Sequence, residues 1–322
     1  MELICPAGTL AAFRDAVDAG ADAVYCGFRD ETNARNFPGL NLTRDELAAA
    51  IGYARPRGVK TLVAINTFMR QGDEQLWLAA VADAVALGAD ALILADIGLL
   101  AHTAERWPEQ RLHPSVQAGA ANPDSIAFYV EAFGVRRVVL PRVLTIADVA
   151  ALSRAVPCET EVFVYGGLCV MEEGRCSLSS YATGRSPNMH GVCSPASHVR
   201  YREEGSEIVS VLGDFTINRL PAGEPAGYPT ICKGRFVAAG EARYLFEDPV
   251  SLDASQHLGA LAAAGVAALK IEGRQRGRAY VAKVVAEFRR ALDGAGAAAP
   301  GRLAPMSEGL RTTAGSYRKG WR

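Results

Sequence analysis

One local pattern recurs along the chain and limits the folds open to it: an alanine-rich amphipathic stretch, a Gly or Asp turn, then a short apolar run that stops at small or polar residues. It is seen in "AAFRDAVDAGADAVYCG", "WLAAVADAVALGADALILAD", "SIAFYVEAFGVRRVVLPR" and "LGALAAAGVAALKIEGR". Gly after the helical stretch supplies a left-handed cap, and the run that follows is too uniformly apolar for a half-exposed strand. Each copy reads as helix, tight turn, buried strand, the repeating unit of a parallel α/β sheet. Strands are predicted at 3–5, 23–26, 61–65, 91–94, 111–113, 137–140, 161–164 and 268–271. Eight such units suit a TIM-like (β/α)8 barrel, with a doubly wound open sheet as the alternative. The barrel is preferred because no Gly-x-Gly-x-x-Gly fingerprint follows any strand. In addition, Asn66, Asp96, Ser115, Gln117, Arg142, Tyr165 and Glu272 fall just past strand ends, positions that share one mouth in a barrel.

The rhythm breaks after 165. Residues 166–244 are rich in Ser, Gly, Pro and Arg, with only short β-like pieces such as "EIVSVLGD". The chain therefore divides into a first barrel part, 1–165, an insertion between the seventh and eighth strands, 166–244, a last barrel part, 245–293, and a C-terminal tail, 294–322. Ordering a polar segment costs about 1 to 2 kcal/mol of backbone entropy per residue, so the insertion calls for a local staple such as cysteine ligation of a metal centre. The tail opens as a Gly/Ala/Pro linker, ends basic and aromatic, and is expected to drape over the surface.

Charge and composition exclude several classes. The chain has 322 residues, 49% hydrophobic and 21% charged, a globular composition. Its net charge of -1 gives no basic excess of the kind that binds phosphate backbones, so nucleic acid is not an expected partner. "MELICPAGTL" has no cationic leader followed by a long apolar run, and no apolar run reaches the roughly eighteen residues of a membrane span. A cytoplasmic location is expected, where clustered cysteines are more often metal ligands or catalytic thiols than disulfides.

Four of the seven cysteines stand apart. Cys169, Cys176 and Cys193 lie in the insertion and Cys232 follows in "GYPTICKGR". Four thiolates can complete the coordination of zinc or of an iron–sulfur cluster. The six, sixteen and thirty-eight intervening residues contain no Cys-x-x-Cys knuckle, which disfavours a zinc ribbon, and match neither common ferredoxin spacing. Gly174, Gly191 and Gly234 would let backbone amides approach sulfur, and Arg175, Lys233 and Arg235 would offset thiolate charge. Cys5, Cys26 and Cys158 sit in or beside apolar strands and read as small buried hydrophobes.

Among the histidines, His113 at a strand end is the best placed for a site. His190 and His198 flank Cys193, and His102 and His257 lie in helical patterns. Neither His-Glu-x-x-His nor Gly-x-Ser-x-Gly is present, so a peptidase has no recognisable nucleophile or zinc site here.

Several segments carry a family resemblance: "NARNF" at 33–37, "VFVYGGLCVMEEGRCSLSSYATGRSPN" at 162–188, "GVCSPA" at 191–196, "CKGR" at 232–235 and "KIEGRQRGRAYV" at 270–281. They resemble the collagenase-like peptidase family U32. Within it, residues 1–41 and the ending "MSEGLRTTAGSYRKGWR" resemble the branch that serves ubiquinone biosynthesis. The resemblance implies a [4Fe-4S] cluster held by Cys169, Cys176, Cys193 and Cys232. It also implies a heterodimer with a homologous partner, UbiV, and hydroxylation of the aromatic ring of ubiquinone precursors without molecular oxygen, with prephenate as the hydroxyl donor. Peptidase activity is not expected of this branch.

A dicarboxylate donor would need cationic clamps, for which Arg142 and Arg274 sit at suitable strand ends. Glu272 is an acid or base, or it orients Arg274 as an ion pair. Tyr165 and Asn66 either position substrate or satisfy strand-end carbonyls. Two functions of different class follow: the cluster-bearing subunit of a ring hydroxylase, or an iron–sulfur scaffold or electron carrier for a catalytic partner. The lipid-like precursor would reach the chain on a carrier protein, without a membrane span.

Overall fold

The computed structural model describes residues 1–169, 176–224, 226–294 and 302–318. All eight expected strands form: β1 (Glu2–Pro6), β2 (Ala23–Gly27), β3 (Lys60–Ile65), β4 (Ala91–Leu94), β5 (Leu112–Pro114), β6 (Arg137–Val139) and β7 (Glu159–Gly167), with Ala268–Ile271 as the fourteenth strand of the chain, β14. They pair in parallel in the order β5-β4-β3-β2-β1-β14-β7-β6. The two ends of this series approach each other, since Arg136 N–H donates to Leu112 O at 3.2 Å. The fold is thus α/β with a large parallel sheet.

Helices α1 (Leu10–Asp18), α2 (Arg44–Ala54), α3 (Glu74–Leu87), α4 (Ile97–Arg106), α5 (Pro123–Phe133) and α6 (Ile146–Ala155) fill the first six connections. Their ends follow from local chemistry. Thr43 and Glu46 form a reciprocal capping box on α2, and Gly88 and Gly134 close α3 and α5 in the left-handed conformation.

Strand residues alternate between two buried faces. Leu3, Cys5, Val24, Cys26, Val63, Ile65, Leu92 and Leu94 join the helices in the main core. Ile4, Ala23, Tyr25, Leu62, Ala64, Ala91, Ile93 and Ala268 form a separate cluster on the other face, with alanine at half its positions. Burial on both faces explains the near-continuous apolar runs in the sequence.

The insertion contains α7 (Ser177–Thr183), α8 (Pro187–His190), an antiparallel sheet of β8 (Val199–Glu204), β9 (Glu207–Leu212) and β10 (Phe215–Pro221), and a hairpin of β11 (Arg235–Ala238) and β12 (Glu241–Tyr244). The chain returns through β13 (Ser251–Asp253), which pairs antiparallel with the end of β7, and α9 (Leu258–Ala263) leads into β14. The last helix, α10 (Arg278–Leu292), packs against α1 and β1.

The C-terminal segment differs from the expected surface tail. Leu303 and Tyr317 are buried, and β15 (Thr312–Thr313) pairs in parallel with β13. Tyr165 donates to Leu303 O at 2.7 Å and Tyr317 to Phe163 O at 2.6 Å. The aromatic ending of the sequence thus anchors it to the sheet. Among the described residues no helix is long and apolar enough to cross a membrane.

Candidate functional site

Glu272 and Arg274 follow directly from β14, where the chain is gripped by glycines. A Cβ on Gly8 would lie 1.8 Å from Arg274 O, and one on Gly166 (φ +122°) would lie 2.7 Å from Glu272 O. Only a bare backbone fits at either point.

Glu272 is buried and accepts from Arg35 Nε at 3.4 Å and from Gly167 N–H at 3.1 Å. Burial alone would raise its pKa, but Arg35, Arg142 and the Gly167 amide outweigh this and hold the carboxyl below its ordinary value, so it is an anion at neutral pH. Arg274 is also buried. Desolvation pulls its pKa down to about 10, and its guanidinium donates to Asn33 Oδ1 at 3.1 Å and stands 5.5 Å from the centre of the Tyr25 ring. The ion pair at this point is therefore Arg35–Glu272, and Glu272 does not orient Arg274. Arg142 lies flat on Phe163, 3.5 Å from the ring centre.

The thiols lie beside this group. Cys169 follows the end of β7 and is exposed. Cys176 is the N-cap of α7, its sulfur accepting from Ser179 N–H at 3.4 Å, and Ser179 Oγ in turn donates to Cys193 O. Cys193 follows Gly191, which rests on the 33–36 segment: Asn36 N–H donates to Gly191 O at 3.3 Å, and a Cβ on Gly191 would meet Asn33 O at 2.2 Å. Cys232 sits in the 3-10 turn Ile231–Lys233, against which α7 packs.

Burial raises the Cys193 thiol pKa, with Cys176 adding to the rise and Arg35 opposing it. Burial pushes Cys232 up to about 12, with Cys193 and Cys169 adding and Lys233 opposing. Arg35 loses by desolvation but gains more from Glu272, Cys193, Tyr25 and Cys169. The four thiols thus share one neighbourhood, and Arg35 links it to Glu272. Among the described residues no three His, Cys, Asp or Glu side chains already stand at metal-ligand spacing.

Other sequence candidates have structural duties. Asn66 accepts from Ala34 N–H at 3.0 Å and donates to Ser115 Oγ at 3.1 Å, which fixes the loop that carries Arg35. Gln117 is buried beside Ser115. Asp96 caps α4 and takes the Met69 N–H, and the Tyr165 hydroxyl is engaged by the C-terminal segment. His113 lies inside the sheet, hydrogen-bonded to Arg111 at 2.9 Å, and His190 and His198 bond within their own turns. Cys5 and Cys26 face the helices. Gly174 and Arg175 lie outside the described residues.

Sequence reasoning missed Asn33, Arg35 and Tyr25 as site residues. Two of them are in "NARNF", which the family resemblance had already singled out.

Fold and site define an α/β protein with a large parallel sheet whose strand ends gather buried charges beside a four-cysteine insertion. The chain matches Peptidase family U32 over residues 8–318 and belongs to that family. It is 34% identical to tRNA hydroxylation protein P of Escherichia coli (strain K12), over 93% of this chain and 69% of that protein. It is 30% identical to a 23S rRNA 5-hydroxycytidine synthase of the same organism, over 91% of this chain and 39% of that protein. A solved U32 peptidase structure aligns with a TM-score of 0.42 at 19% identity, covering 51% of this chain and 68% of that one. Relatives named for hydroxylation support a hydroxylase-type role for this chain.

Proposed function

We propose that this chain is the [4Fe-4S] subunit of an oxygen-independent ring hydroxylase of the UbiU type, acting in the cytoplasm with UbiV on ubiquinone precursors delivered by a carrier protein. The parallel strands are read as a TIM-like (β/α)8 barrel with the site at its mouth. The observation that carries this reading is the convergence of Cys169, Cys176, Cys193 and Cys232 on one neighbourhood that Arg35 joins to Glu272.

The residues fit a cluster by their chemistry. Burial and neighbouring thiols disfavour ionisation of Cys193 and Cys232, a cost that bound iron would reverse by holding them as thiolates, while Arg35 and Lys233 already oppose it. When bound, the cluster would supply one-electron chemistry that side chains lack. The chain's own residues have separate tasks. Arg274 and Arg142 offer cationic partners to a carboxylate donor such as prephenate, and Arg274 is buried, donating to the neutral Asn33 amide beside the Tyr25 ring. Glu272, ionised, holds Arg35 in place and can accept a proton at Oε1 or Oε2.

Exposure of Cys169 favours one second reading, an iron–sulfur scaffold or electron carrier for a partner enzyme. The relatives' names raise RNA as an alternative substrate, against which stands the net charge of -1.

Protein purified anaerobically is expected to hold about four iron and four sulfide per chain and to lose its visible absorbance in each Cys→Ala variant. Zinc without sulfide, or full iron in Cys176→Ala, refutes the assignment. Incubation with UbiV, prephenate and either a ubiquinone precursor or tRNA then separates the substrates. Product only from the precursor is expected, and product only from tRNA overturns the quinone reading.

A further inference from the structure

Glu308 comes from the C-terminal segment yet stands at the strand-end face. Its backbone N–H donates to Ser251 Oγ at 2.9 Å, and Gly309 (φ +57°) makes the turn that presents it, packed so that a Cβ there would lie 2.2 Å from Pro249 O. Its carboxylate accepts from Lys233 Nζ and from Arg276 Nη2, the latter at 3.2 Å. A Cβ on Gly167 would be 3.6 Å from Glu308 Oε1 and 3.4 Å from Glu272 Oε2, so the segment reaches the site itself.

Lys233 is the neighbour of Cys232, and only 13% of its side chain is exposed. Other ties hold that turn: Glu247 N–H donates to Cys232 O at 3.2 Å, the Cys232 thiol to Thr230 Oγ1 at 3.8 Å, and Arg235 N–H to Asn218 Oδ1 at 3.0 Å. The Lys233–Glu308 pair is the side-chain tie that crosses from the turn to the C-terminal segment.

We propose that Glu308 is a positioning residue for the Cys232 thiol. Through Lys233, the C-terminal segment straps down the turn that carries the fourth ligand. This rests on the reading of Cys232 as a cluster ligand. A largely buried ammonium without its carboxylate moves toward water, and the adjoining Cys232 moves with it. The pair also sets the local field. Removing the carboxylate favours the more negative, reduced cluster, and removing the ammonium favours the oxidised one.

The test uses the full chain, reconstituted anaerobically, as wild type, Glu308→Gln, Glu308→Asp and Lys233→Met. Iron release to a chelator, the midpoint potential and the urea midpoint are measured on each. Glu308→Gln is expected to lower the urea midpoint, because it leaves a largely buried ammonium unpaired, and to release iron about tenfold faster. Its potential should move positive and that of Lys233→Met negative, while Glu308→Asp restores most of the wild-type behaviour. Opposite shifts from two variants that break the same contact would not arise from loosening alone. Wild-type release and potential in Glu308→Gln overturn the proposal, as do potentials that move in the same direction in Glu308→Gln and Lys233→Met. A wild-type chain without iron and sulfide overturns the ligand assignment and this proposal together, whereas a loaded wild type with unaffected variants overturns only this one.

Discussion

His113 is only 1% exposed, and its Nε2 accepts from Arg111 Nε at 2.9 Å, which leaves the ring proton on Nδ1. Burial, reinforced by Arg137 and Arg111, holds its pKa well below the ordinary 6.5. The unfolded chain takes up a proton near pH 6.5 while the folded ring stays neutral. Below that pH the unfolded state therefore binds more protons, and stability falls with a slope approaching about 1.4 kcal/mol per pH unit, while above it this loss is absent. Urea midpoints at pH 7.5 and 5.5 should show this decline in the wild type and a much flatter one in His113→Gln, whose amide oxygen can still accept from Arg111. Equal declines in the two proteins would show that His113 is not the titrating group. From sequence His113 looked like a site residue because it ends a strand. Apart from Arg111, the charges that act on it, such as Arg137 and Lys270, come from other strands, and their approach is invisible until the sheet is assembled.

Among the elements, the ends of β1, β7 and β14 are pressed together by glycines. Gly8→Ala would drive a methyl into the carbonyl of Arg274 and is expected to cost about 1 to 3 kcal/mol, with a loss of activity from the displaced guanidinium. Gly52→Ala is the control. It lies within α2 with nothing near its Cβ, so the change should leave stability, read from the urea midpoint, equal or raise it by about 0.5 to 1 kcal/mol. If both variants melt alike, the close approach at Gly8 does not fix the site. The parallel strands were legible because burial on both faces writes a continuous apolar run, and β5 is displaced by only one residue, to Leu112–Pro114. β13 and β15 were not legible, since "SLD" and "TT" carry no pattern of their own and are strands only because the end of β7 offers an edge to β13 and β13 in turn offers one to β15. The cysteines stood out as thiols among Ser, Gly and Arg. Arg35 did not, because its place depends on the 33–36 segment folding against Gly191.

Across the whole molecule, the face of the parallel strands turned away from the helices is divided. One part is lined by Ala23, Ala64, Ala91 and Ala268, and the other holds Arg137, Glu161 and Lys270 closed off from water. Arg137 pairs with Glu2 at 2.7 Å, Glu159 at 2.6 Å and Glu161 at 3.3 Å, and Lys270 pairs with Glu161 at 2.6 Å. Lys270 also sits 4.0 Å from the centre of the Tyr25 ring, so the network runs from the strand starts toward the strand ends. Desolvation lowers the Lys270 pKa against the pull of Glu161, a sign that this ammonium depends on its partner. Glu161→Ala would leave it buried without that carboxylate, at a cost of about 3 to 5 kcal/mol, a large part of the 5 to 15 kcal/mol that holds a typical domain folded. Replacing both members, Glu161→Leu with Lys270→Met, should recover most of the loss, because the pair must itself offset the desolvation of two charges. Urea denaturation of the two variants decides the point. A single variant within about 1 kcal/mol of wild type would mean that the alanine-lined part and the outer helices hold the sheet without help from its charged interior.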